Sequence, residues 1–170
     1  EEILNDLDRI ISNILKKSEQ SMRKKIKDIP DGKYVDEMFV DGFDNPLKIK
    51  CLIEVKKDNI IIDFSGTSKQ INRPINSVFN YTYAYACYAL KCAIDPNAPN
   101  NDGSFRPVKI IAPMGTIVNP TRPAPVWGRH LTGHYIPPAI YGALSKVIPK
   151  NIIAESGSPL WNIYFKGRQE

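Results

Sequence analysis

Histidine and cysteine are both scarce here: two and three copies in 170 residues. Cys51, Cys87 and Cys92 are odd in number and none has CxxC spacing, so no disulfide framework is suggested and a zinc site is disfavoured. Cys87 and Cys92 fall five apart in a helix-like stretch, so they face different directions. Reduced, buried thiols fit best, and they point to the cytoplasm. No apolar run reaches membrane-spanning length, and no signal peptide is visible. GxSxG, P-loop and GxGxxG patterns are all missing, which removes the motif-level case for a serine hydrolase, a P-loop NTPase or a dinucleotide-binding enzyme. There is no internal repeat and no low-complexity run.

Positive charge is in modest excess, with Lys+Arg 23 against Asp+Glu 18 and a net charge of +5. Much of it lies in Lys16, Lys17, Arg23, Lys24, Lys25 and Lys27. A nucleic-acid footprint is one reading, but no nucleic-acid motif accompanies it; the solvated face of one helix is the plainer one. The length allows one good core, hence a single domain over 1–170 or a fragment of a larger subunit. The first residue is Glu1, in helix-like sequence, so a slice of a longer chain is expected.

Apolar residues recur at helical spacing from Ile3 through Leu7, Ile10, Ile11, Ile14, Met22 and Ile26. They predict a long amphipathic helix over residues 1–29 that stops before Pro30-Asp31-Gly32. A stripe that long needs a partner surface, and self-association through the helix is one way to cover it. Strands are expected at Tyr34–Val40, Leu47–Val55 and Asn59–Phe64, with short turns that favour antiparallel pairing. A helix follows, capped by Asn76 or Ser77 and running to about Ile94. Its tyrosines (Tyr81, Tyr83, Tyr85, Tyr88) read either as a stacking surface for a substrate or as core and interface residues. Eleven of the 14 prolines lie between Pro96 and Pro159. In this proline-rich half, short strands are expected at Val108–Ile111, Ile152–Ala154 and Trp161–Phe165, with a helix at about Pro138–Val147. The fold class is therefore α+β: a long N-terminal helix, a largely antiparallel sheet and one or two further helices.

The densest concentration of polar groups is Asp63-Phe64-Ser65-Gly66-Thr67-Ser68, which closes the apolar run Ile60-Ile61-Ile62. The run asks to be buried in a sheet, and the tail needs hydrogen-bond partners. Loop amides and hydroxyls here could hold an anion or the polar edge of a substrate, with Asp63 as acceptor or base. A local turn satisfied by Asp63 and Ser65 explains the same residues. His130 and His134 are spaced i, i+4, as metal pairs are, but Gly133 lies between them and Arg129 adjoins, so no metal is placed on them. Trp127-Gly128-Arg129-His130 could instead line a cleft for a carbonyl or carboxylate. Arg106 and Arg122 precede prolines, which hold them extended. Either could fork onto a carboxylate or sit in an ion pair.

Asp63 to Ser68, Gln70, Pro74-Ile75-Asn76, then Asn100 to Pro107, Ala112 to Thr116 and Asn119 to Val126 occur in an order and spacing that resemble the B-type subunit of the hydantoinase/oxoprolinase family. That family includes B-type N-methylhydantoinase subunits, 5-oxoprolinase and related subunits of acetone and acetophenone carboxylases. Its members are much longer than this chain. The resemblance is best from about Ser18 to Ala154 and departs around Trp127 to Pro138. It implies ATP-dependent hydrolysis of a small cyclic amide, a hydantoin or a 5-oxoproline ring. ATP and Mg would be handled by an A-type partner subunit, which argues against an ATP loop at Asp63–Thr67. Metal ligands would lie in an N-terminal part that this chain lacks, with no cofactor bound by the fragment itself. Candidate catalytic residues are then Asp63, Thr67 and His130. Candidate substrate-binding residues are Ser65, Gly66, Arg106, Arg129 and His134. A carboxylase-type fragment and a non-catalytic docking portion are the alternatives, and neither nucleic acid nor membrane is an expected partner.

Overall fold

The computed structural model describes residues 2–154, with side chains from residue 6. Helix α1 spans Glu2–Ile26 and carries Arg23, Lys24 and Lys25 in its last turn, where the helix dipole favours cations. Ser18, Met22 and Ile26 recur every four residues and are buried, followed by Ile29. The first half of the stripe behaves differently: Leu7, Ile10, Ile11 and Ile14 stay 45–53% exposed. Among the described side chains of α1, those of its C-terminal half therefore belong to the core.

Three strands follow: β1 (Gly32–Val40), β2 (Leu47–Lys56) and β3 (Asn59–Asp63). β1 and β2 pair antiparallel from Gly32↔Val55 to Val40↔Leu47, and β2 and β3 from Leu52↔Asp63 to Lys56↔Asn59. The β2–β3 turn is tight because Lys57 takes a left-handed φ of 58° and donates its amide to Asp31 Oδ1 at 2.8 Å. β4 (Val108–Ile111) lies parallel to β3, so the chain must cross over between them. That crossover holds α2 (Phe79–Ile94) and the short α3 (Asp102–Phe105). The sheet order is β1-β2-β3-β4.

Burial on β2 alternates strictly: Leu47, Ile49, Cys51, Ile53 and Val55 are buried, and their neighbours between are not. The buried face of β1 and β2 is covered by α5 (Ile136–Leu144), which packs in turn against α2, with the five-residue α4 (Arg129–Gly133) leading into α5. Val40, Ile60, Ile62 and Phe64 join Leu90, Ile140 and Leu144 in one core. The outer face carries exposed ion pairs such as Lys50–Glu37 at 3.1 Å.

Four expectations need correction. α2 starts at Phe79 with Val78 at its N-cap, because the Asn76 side chain is committed to loop carbonyls and cannot cap. α5 starts at Ile136, with prolines in its first turn. Residues 152–154 form no strand, and Trp161–Phe165 lies outside the described residues. Cys51 and Cys87 are buried, but Cys92 is exposed.

Candidate functional site

Asp63 ends β3, and its Oδ1 accepts the Ser65 amide at 2.8 Å, an Asx turn. The Phe64, Thr67 and Ser68 amides donate to Ile111, Phe64 and Lys48 carbonyls respectively. Gly66 takes φ +90°, a left-handed conformation that a side chain would strain. Thr67 is buried, and its hydroxyl accepts from the Lys50 amide (3.1 Å) and donates to the Lys50 carbonyl (3.2 Å). Ser65 and Gly66 are exposed at the tip. Thr67 thus anchors the loop to β2, with Ser65 and Gly66 at its exposed tip.

The segments after the loop interlock with the proline-rich half. Gln70 Oε1 accepts the Thr121 amide at 2.7 Å, and Gln70 Nε2 donates to the Thr121 carbonyl at 3.2 Å. Fully buried Asn76 donates to the carbonyls of Ile71, Arg73 and Pro125 and accepts the Ile71 amide. Thr82, also fully buried, donates to the Val118 carbonyl at 2.7 Å. The polar residues of these motifs therefore hold irregular backbone together, supplying the bonds that regular structure would otherwise supply.

Arg106 is paired with Glu19 and Asp102, each at 3.3 Å, and so ties α3 to α1. The contact is close: a Cβ on Gly103 would lie 2.1 Å from the Leu15 carbonyl oxygen. Arg23 and Arg106 together hold the Glu19 carboxyl below its ordinary range.

A second region forms where α2, α4 and α5 meet over β1. Tyr81 and Tyr85 stack with centroids 4.6 Å apart, and the Tyr81 hydroxyl donates to that of Tyr85 at 3.0 Å. This approach needs Gly133, where a Cβ would lie 2.1 Å from the Tyr81 ring. Arg129 stands over Tyr81 at 5.8 Å, and His134 meets Tyr85 edge-on at 5.6 Å. His130 is half-buried one turn before His134. Burial and the Tyr85 bond push the Tyr81 hydroxyl up to about 12. Tyr141 on α5 is pushed to about 12 as well, mainly by burial.

Beside this ladder lies a cavity of about 870 Å³, walled by Tyr85, Tyr88, Tyr141, His134, Met38 and Asp36. Its size is in the range that small-molecule sites occupy. Of the expected site residues only His134 lines it, while Arg129 reaches its aromatic wall through Tyr81. Asp63, Ser65, Gly66, Thr67, Arg106 and His130 do not line it. Asp36, Met38 and Tyr141 line it as well, and no motif in the sequence marks them. A usable signal was present in β1: Asp36 shares strand parity with Tyr34, Met38 and Val40, so it is the one acid on an otherwise apolar face. Among the described residues no three His, Cys, Asp or Glu side chains converge as a metal site, and no helix is long and apolar enough to cross a membrane.

A two-layer α+β frame locked by these motif residues defines a class, and the comparisons identify it. The profile of the Hydantoinase B/oxoprolinase family matches residues 3–170, and the chain belongs to that family. It is 39% identical over 153 residues to an uncharacterized protein of Methanocaldococcus jannaschii, covering 89% of this chain and 27% of that one. It is 36% identical over 165 residues to a putative B-type D-/L-hydantoinase subunit of a Pseudomonas strain, covering 89% of this chain and 28% of that one. The fold matches the crystal structure of the ATP-dependent caprolactamase from Pseudomonas jessenii with a TM-score of 0.80 at 22% identity, covering 86% of this chain and 26% of that one. The chain thus spans little more than a quarter of the length of these relatives.

Proposed function

We propose that this chain is a segment of the B-type subunit of an ATP-dependent cyclic amide hydrolase of the hydantoinase or 5-oxoprolinase kind. The observation that carries the reading is the family match across residues 3–170, on a fold in which the matching motif residues interlock. In this reading an A-type partner binds ATP and Mg and activates the ring carbonyl, and the B-type subunit completes hydrolysis of the amide. Any metal is held by parts of the subunit outside this chain. Asp63, Ser65 and Gly66 offer one polar rim, and Arg129, His130 and His134 offer a second. Thr67 and Arg106 serve by holding the loop and α3 in place, given their bonds to Lys50, Glu19 and Asp102. The exposed stripe of α1 supports a second role, docking of this segment against the rest of the assembly.

The test is reconstitution of the whole subunit with its A-type partner. ATP-dependent opening of hydantoin or 5-oxoproline, requiring both subunits, is the expected result. Full turnover by the A-type subunit alone, or none of either ring by the pair, would overturn it.

A further inference from the structure

Asp36 occupies an unusual place for an acid. It pairs with Cys51 in register, and Met38 beside it pairs with Ile49, so it stands on the helix-covered face of the sheet. Helix α5 passes over it so closely that a Cβ on Gly142 would lie 2.1 Å from Asp36 Oδ2. Glycine there is what leaves room for the carboxylate. From the rim, Lys146 Nζ approaches Oδ1 at 3.5 Å and also donates to the Val35 carbonyl. One long contact from a half-exposed lysine leaves acceptor capacity on a group that can take about four hydrogen bonds. A carboxylate on an apolar face is costly unless it is paired, and Asp36, 29% exposed, has this one long ion pair. Tethering α5 to β1 needs no cavity in front of the acid, yet Asp36 lines the 870 Å³ space faced by Tyr85, Tyr88 and Tyr141.

We propose that this cavity binds the planar ring of the cyclic amide and that Asp36 accepts the ring N–H. It rests on the function proposed above and deepens it. A flat amide ring offers two faces for aromatic packing and an edge that carries N–H donors and carbonyl acceptors. Tyrosine rings suit the faces. A carboxylate suits the N–H edge, as a charge-assisted acceptor. The tyrosine hydroxyls and His134 suit the carbonyls, as donors. Asp36 is thereby a specificity residue: it favours rings with a free N–H over the same rings methylated at every ring nitrogen.

The experiment uses the whole B-type subunit with its A-type partner, after wild-type ATP-dependent turnover of hydantoin and of 1,3-dimethylhydantoin, the N-methylated ring with no N–H left, has been measured. Failure at that first stage counts against the proposed function. With an active complex in hand, Asp36→Asn keeps the volume and removes the charge. The expected result is a rise in KM for the N–H ring of about tenfold to a hundredfold, the span of a hydrogen bond to a charged group. KM for the N-methylated ring should change far less, so the preference collapses. Ala84→Trp, at an exposed helix position on the cavity wall, should raise KM for both rings without unfolding the subunit. Equal effects of Asp36→Asn on both rings, or unchanged kinetics in a folded Ala84→Trp complex, would overturn the proposal.

Discussion

Asn76 and Pro125 are 49 residues apart and meet through a hydrogen bond of 2.8 Å from Asn76 Nδ2 to the Pro125 carbonyl. The same amide nitrogen serves Ile71 and Arg73, so its two hydrogens are shared among three carbonyls. Asn76 is fully buried. Asn76→Ala should therefore destabilise the protein by about 3–5 kcal/mol, since several buried backbone groups lose their partner at once. Asn76→Asp should be about as harmful, because an ionised carboxylate cannot donate to any of the three. Denaturant unfolding of both variants checks this. A loss under about 1 kcal/mol in either would show that the loop finds other partners.

The Asx turn at Asp63 separates two roles cleanly. Asp63→Asn keeps the Oδ1 acceptor for the Ser65 amide and removes the charge. Stability should change by no more than about 1 kcal/mol. If Asp63 serves the site, turnover of the reconstituted complex should fall strongly in the same preparation. Full activity with a lowered melting temperature would remove Asp63 from the site and leave it as a turn residue.

The elements legible in the sequence were those fixed by local periodicity. Ile49, Cys51, Ile53 and Val55 alternate on β2, and Met22 and Ile26 repeat along α1, so burial follows directly from spacing. The loop at Asp63 was visible because polar groups closing an apolar strand need partners. What stayed hidden depended on contacts between distant segments. Asn76 resembled a helix cap because nothing local reveals that Pro125 would claim it. Gly142 and Gly133 gave no sign of what they accommodate, since Asp36 and Tyr81 are far away in sequence. Asp36 lies on a strand that the sequence predicts, but its inward direction gains meaning only from α5, which covers it. The tyrosines form a cluster in the sequence itself, and only the cavity beside them distinguishes core from binding surface.

The exposed half of α1 predicts association of the isolated chain. Leu7, Ile10, Ile11 and Ile14 form a contiguous apolar stripe, each about half exposed. Charge along the helix changes sign, with Asp6 and Asp8 near the start and Lys16 and Lys17 further on. Two copies packed antiparallel through the stripe would set the acidic end of one helix beside the basic part of the other. Light scattering should show a dimer that weakens with salt, and Ile10→Lys should return a monomer. A wild-type monomer at high concentration would count against self-pairing, as would a dimer that Ile10→Lys leaves intact.

The raised tyrosines predict a loss of stability in alkali. Tyr81 is held up at about 12 by burial and by its bond with Tyr85, and Tyr141 at about 12 mainly by burial. Unfolded tyrosine titrates near 10. Below pH ~10 both states are protonated, and the contribution of these groups is fully present. Between pH ~10 and ~12 the unfolded chain ionises while the folded one resists, so unfolding is favoured and stability falls as pH rises through the folded value. Denaturant midpoints should decline across that window, and tyrosinate absorbance of the folded protein should show a late wave among its eight tyrosines. Tyr81→Phe should shrink the late wave and flatten part of the decline, at a cost of about 1 kcal/mol at neutral pH from the lost hydroxyl bond. A single wave near pH ~10 in the folded protein, unchanged in Tyr81→Phe, would mean that the stacked pair is open to water and that the aromatic wall is not the desolvated surface a ring would require.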